Sequence, residues 1–89
     1  MVQFHGNLLI GGMSLTDLQG LIDAENACVP GWRGEFVVNV NRRSCLEIGR
    51  PYLLQLSDGR TGQVVVSEIA EKPLEQVAVV RISGTSPLR

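Results

Sequence analysis

The residues able to do chemistry in this chain are few and widely separated. There is one histidine, His5, and there are two cysteines, Cys28 and Cys45. Nucleophilic catalysis needs a base positioned beside the nucleophile, and nothing in the spacing sets His5 against either thiol or against a serine. Structural zinc takes four nitrogen or sulfur ligands in short paired spacings; these three isolated residues do not supply them, so neither a metal site nor a cofactor is expected. Glu68, Glu71 and Glu75 are spaced like one face of a helix, but Pro73 interrupts them, and a solvated turn accounts for them better than a pair of catalytic carboxylates. Asp58-Gly59-Arg60-Thr61-Gly62 lacks the Gly-Lys-Ser/Thr ending of a phosphate loop and is read as a hairpin turn. The expectation is a protein that is not an enzyme. A small hydrolase or isomerase using His5, a cysteine or a serine is the last of three readings.

Basic residues offer a second chemistry. Arg33, Arg42, Arg43, Arg50 and Arg60 interleave with Trp32 and Tyr52, and small barrels that bind single strands combine basic grooves with aromatic stacking platforms. Arg33, Arg42, Arg43, Trp32 and Tyr52 are therefore the candidate contacts of a weak single-stranded nucleic-acid-binding barrel. The charge balance limits that reading. Residues 1–31 carry three acids and no base, residues 32–60 carry five Arg against three acids, and residues 61–89 balance, which together give the net charge of -1. No strongly basic surface for nucleic acid or an anionic membrane follows from it.

The elements that would position these residues are mainly strands. Of the 89 residues 44% are apolar, which excludes a disordered chain. Tyr52, Leu54 and Leu56 alternate up to Asp58-Gly59, and a β-branched run from Gln63 to Ile69 follows, the pattern of a β-hairpin. Phe36, Val38 and Val40 share one face of another strand, and Ala78, Val80 and Ile82 share one face of the last, at 76–83. Residues 2–10 read as a further strand broken by Gly11-Gly12. Leu15, Leu18, Leu21 and Ile22 then fall at helical spacing, with Ser14 and Asp17 at the spacing of a capping box, so a short helix is expected at about 15–25. The tail from Gly84 to Arg89 is expected to fray.

Four or five strands and one short N-terminal helix make a mainly β fold, a small antiparallel barrel or curled sheet. One domain spans 1–89, with the barrel at about 33–84 and a strand and helix extension over 1–30. Gly49-Arg50-Pro51-Tyr52 through Asp58-Gly59-Arg60-Thr61-Gly62, with the closing Ile82-Ser83-Gly84, resembles the small SH3-like or OB-like barrels found in many bacterial proteins. The resemblance implies structure and no single activity.

The leading functional expectation comes from the strands. Leu53, Val65, Val77 and Val79 put apolar groups on the face opposite the core, whereas a half-solvated sheet should alternate more cleanly. A non-enzymatic binding or assembly module acting through an apolar sheet face or strand edge is therefore expected, with Leu53, Val77 and Val79 near the contact. Its partner is a second copy or another protein, and a homodimer is simplest. The N-terminus has no basic region and only a three-residue apolar run, so no signal peptide or membrane span is read. The cysteines are read as reduced thiols in a cytoplasmic protein, with a disulfide the alternative.

Overall fold

The computed structural model describes residues 1–23 and 27–89. Six strands, β1 (Val2–Ile10), β2 (Met13–Ile22), β3 (Arg33–Asn39), β4 (Pro51–Leu56), β5 (Thr61–Lys72) and β6 (Val77–Gly84), form a closed barrel in the order β1-β2-β3-β6-β5-β4. Every pair is antiparallel. The chain makes two three-stranded meanders, and the β1–β4 and β3–β6 ladders join them. The strand count is six where four or five were expected. β1 and β2, assigned by sequence to an extension, are two of the barrel's own strands.

The hairpin forms as expected. Gln55 stands opposite Thr61 and Pro51 opposite Val65. Gly59 N–H donates to the Leu56 carbonyl at 3.0 Å, and Leu56 N–H to the Arg60 carbonyl at 2.8 Å. Gly59 takes φ 96°, the left-handed residue that ends a three-residue hairpin loop. β6 joins β5 in the same sheet.

The helix expected at about 15–25 is not there. Its described part is β2, and residues 24 and 25 lie outside the described residues. The error has a physical cause. Opposite Asn7, β2 carries two residues, Thr16 and Asp17, because the register slips between Gly6↔Leu18 and Leu8↔Leu15. This β-bulge adds one residue between the buried Leu15 and Leu18, so an inward-facing strand acquires an i, i+3 spacing. Asp17 does not cap a helix. It is the bulge residue, at φ 58°, a conformation that costs a non-glycine residue about 1–2 kcal/mol. The Asn7 side chain accepts a hydrogen bond from its N–H at 3.3 Å.

Alternate residues of each strand fill the interior: Phe4 and Leu8, Phe36 and Val38, Tyr52, Leu54 and Leu56, Val64 and Val66, Ala78, Val80 and Ile82 are all buried. Between β3 and β4 a 3₁₀ turn at Val40–Cys45 leads to Leu46, which is buried in the same core. Trp32, 1% exposed, packs where Gly62 and Gly84 leave room, and its Nε1–H donates to the Ser86 carbonyl at 2.7 Å. The tail does not fray. Leu88 is buried, Leu88 N–H bonds the Ala27 carbonyl at 2.8 Å, and Thr61 and Arg89 exchange backbone bonds of 2.7 and 3.0 Å. Apolar burial of Leu88 and the backbone pairs outweigh the ordering cost of a terminus.

The Trp32 contact yields a sharp expectation. A Cβ on Gly84 would fall well inside van der Waals contact with the indole ring, whereas one on Gly12 would meet nothing within 4 Å. Gly84→Ala should therefore lower stability by about 3 kcal/mol or more, and Gly12→Ala should change it by less than about 1 kcal/mol. Urea unfolding followed by tryptophan fluorescence measures both, and equal midpoints for the two variants would contradict the packing described.

Candidate functional site

The five residues expected at a nucleic-acid surface do not come together. Trp32 and Tyr52 lie in the barrel interior at 1% and 4% exposure. Tyr52 spends its hydroxyl as acceptor for Glu47 N–H at 2.9 Å. Neither ring presents a face to solvent, so the stacking half of that expectation is corrected: alternation placed both rings on the inward side. The arginines are on the surface but dispersed among acids. Arg33 lies on β3 and lines a shallow groove with Glu35, Glu68 and Arg81. Arg81 in that groove bonds Glu68 at 3.1 Å and approaches Glu35 at 3.7 Å. Arg42 and Arg43 belong to the 3₁₀ turn, where Arg43 pairs with Glu71 at 2.9 Å.

Two of the three residues expected at a protein interface do come together. The outward positions of β6 include Val77 and Val79, both half-buried. The ladders set Val79 between Val37 of β3 and Ala70 of β5, so Val37, Val79 and Ala70 form one row across three strands, with Val77 beside it. Val37 is 48% exposed and Leu74, at the β5–β6 turn, fully so. Cross-strand neighbours of this kind stand about 4.5–5.5 Å apart at Cβ, close enough to act as one surface. Leu53 belongs elsewhere, to a row with Leu9 of β1 and Gln63 of β5. Val37 and Leu74 were not singled out from sequence. Val37 carried a signal, as the outward member of the Phe36–Val38 alternation, and Leu74 carried another, as an apolar residue inside the charged turn Glu71-Lys72-Pro73-Leu74-Glu75.

The strand-edge alternative is narrowed by closure. A ring removes open edges along its paired lengths. The β2–β3 ladder is short, running only over residues 20–22 against 34–36, so residues 13–18 of β2 extend beyond it. That stretch holds the Thr16–Asp17 bulge and a carboxylate, the features that blunt an edge against added strands. The apolar row on β3, β6 and β5 is thus the better candidate surface. His5 is exposed on β1, Cys28 is exposed and Cys45 half-buried, and both thiols are free. No helix among the described residues is long and apolar enough to cross a membrane.

The fold defines a class, a small closed antiparallel β-barrel of six strands, compatible with an SH3-like or OB-like barrel. Comparison with family models, curated proteins and solved structures finds no match to this chain.

The surface electrostatics are resolved most clearly at the hairpin turn. Asp58 accepts from Arg60 N–H at 3.0 Å and from its Nε at 2.9 Å. The backbone N–H bond is the largest cause; desolvation opposes it, and the guanidinium's hydrogen bond and charge then help to hold the carboxyl below the ordinary carboxylate range. Hydrogen bonds to the charged form lower a pKa. A depressed folded-state pKa contributes stability that is fully present above the unfolded value, about 3.9, and is lost as pH falls through the folded one. Solvent keeps this contribution small at an exposed turn. A carbon-detected NMR titration of the Asp58 carboxyl should give a midpoint below about 3.9, with the Arg60 amide moving in the same step; a midpoint at or above that value would contradict the bonds.

Proposed function

We propose that this barrel is a non-enzymatic assembly module that pairs with a second copy of itself through the outer face of β3, β6 and β5. The reading rests on one observation: the row of Val37, Val79 and Ala70, with Val77 on the same face, exposes apolar side chains side by side on a closed barrel whose core is already full, and the fully exposed Leu74 stands in the turn that joins β5 to β6. Isolated exposed apolar residues need no explanation, but a contiguous set rimmed by polar groups marks an interaction site. The rim here carries both signs, Arg81 with Glu35 and Glu68 on one side and Arg43, Glu71 and Lys72 on the other. A two-fold rotation can set each sign against its opposite while burying the same valines on both subunits, so the patch can complement itself.

We place the chain beside the SH3-like and OB-like small barrels on architecture alone, and architecture of that kind hosts many unrelated tasks. The unpaired thiols suit a cytoplasmic setting.

Light scattering on the full chain should give twice the 9.7 kDa monomer mass at high micromolar concentration. Val79→Glu combined with Leu74→Glu should weaken dimerisation by about thirtyfold or more, the loss of about 2 kcal/mol expected of a central contact, with little change in unfolding midpoint. Leu53→Gln, on the other row, should leave the mass unchanged. A wild-type chain that stays monomeric at high micromolar concentration sinks the proposal.

A further inference from the structure

Beyond Gly84 the chain leaves the ladders and runs as an irregular strap, residues 85–89, over the start of β5. β5 pairs with β4 from Thr61 to Val65, but its ladder with β6 begins only at Val64↔Gly84. Thr61 and Gln63 would therefore present an open strand edge, and the strap closes it. The Gln63 carbonyl accepts from Thr85 N–H at 2.8 Å, and Thr61 exchanges backbone bonds of 2.7 and 3.0 Å with Arg89. Gln63 N–H donates to the Ser86 hydroxyl at 2.9 Å, where a regular strand would offer a carbonyl.

The seat reads the sequence of its occupant. Between the Gln63–Thr85 and Thr61–Arg89 contacts, Ser86, Pro87 and Leu88 stand opposite Gly62 alone. Ser86 serves as acceptor twice, its hydroxyl for Gln63 and its carbonyl for Trp32 Nε1–H at 2.7 Å. Pro87 carries no N–H that would need a partner. Leu88 turns inward to 5% exposure, with its N–H on the Ala27 carbonyl at 2.8 Å. Gly62 makes the room, since a Cβ there would stand 3.1 Å from a Leu88 methyl and 3.2 Å from the Trp32 ring.

Two features make the strap an occupant of the wall and not a part of it. The ring of six strands closes without any residue of 85–89, and of those five residues only Leu88 is buried. Segments with few buried apolar contacts open at the low end of a protein's stability range. Lifting the strap uncovers the N–H and carbonyl groups of Thr61 and Gln63 beside a leucine-sized pocket walled by Trp32. Strand addition uses the same two parts, main-chain bonds for affinity and a side-chain pocket for specificity.

We propose that this edge is a strand-addition site for an extended Ser-Pro-Leu segment of another protein, held closed in cis by residues 85–89. An incoming segment of that pattern makes the bonds the strap now makes, and it competes with an occupant whose tether gives it a high effective concentration. The site shares no residue with the apolar row, so its test is independent of the assembly reading.

The probe is the peptide acetyl-Gly-Thr-Ser-Pro-Leu-Arg-amide, added to the isotopically labelled full chain while amide spectra and the Trp32 indole signal are recorded by NMR. Leu88→Ala and Leu88→Asp remove the strap's anchor. At least one should stay folded, with exchange of the Thr61 and Gln63 amides faster than in wild type by about tenfold or more. The peptide should then give saturable shifts at residues 27 and 61–63 and at the indole, at millimolar concentrations, and slow that exchange again. Wild type should bind it about tenfold more weakly or worse, because the seat is open only a fraction of the time. A peptide with Asp in place of Leu should not bind. Unfolding of both variants overturns the proposal, since the strap would then be part of the wall. So does a folded variant without saturable shifts, or equal binding of the Asp peptide. Thr61 protection that falls when wild type is diluted would put a second copy's strap in the seat, and that too overturns closure in cis.

Discussion

Two long-range ladders, residues 6–9 against 53–56 and residues 33–39 against 77–83, join the two meanders into a ring, and the rest of the molecule depends on them. Without them each meander is a three-stranded sheet with two open edges and one bare apolar face, marginal by itself. With them, the inward residues of all six strands meet, and the interior holds no buried polar or charged residue among those described. Closure also fixes where backbones must come close. Gly20 sits against the Glu35 carbonyl and Phe36, and Gly6 against the Gln55 carbonyl, so tightly that a Cβ at either would overlap backbone atoms. The glycines inside β1 and β2 weaken those strands locally, and the packing they permit offsets the loss.

The two meanders share a plan but are joined unequally. β5 and β6 pair almost along their full length, from Val64↔Gly84 to Lys72↔Val77, whereas β2 and β3 pair over three positions. The long β5–β6 hairpin gives the outer valines a continuous surface and carries Leu74 to its tip. In the first meander β2 carries the bulge at Thr16 and Asp17 and meets β3 only over residues 20–22, and the outer wall there mixes polar side chains with Leu9.

Much of this was legible in the chain. The turn at Asp58-Gly59, the alternation in β4 and β6 and the β-branched run in β5 each act over a few residues, and local chemistry decided them. β2 was misread because a bulge makes a strand's inward spacing, Leu15 to Leu18, equal to a helical step, and only the opposing strand reveals the extra residue. The tail was misread for a related reason: Leu88 is ordered by Ala27 and packs at Gly62, and Arg89 is held by Thr61, all partners distant in sequence. Val77 and Val79 were recognisable as outward apolar residues, but their joining with Val37 and separation from Leu53 depend on strand order. The inward turn of Trp32 and Tyr52 was available from alternation, and their aromatic character drew attention to the wrong side of the sheet.

A six-stranded barrel also dictates where function must lie. About eight strands are needed before a barrel's interior can hold even a small ligand, and here Trp32, Phe36, Leu54 and Val66 already fill the centre to 1% exposure or less. Any partner must therefore be met on the outside, where strand alternation leaves every second residue free to vary without disturbing the core. Surface ion pairs such as Arg43–Glu71 and Arg81–Glu68 add little stability at such exposed positions. They can still bear on association, because a rim of fixed charges decides which surfaces approach and in what orientation. The interior makes the barrel stable, and the outward rows, which stability constrains least, are the places where this sequence is free to encode recognition.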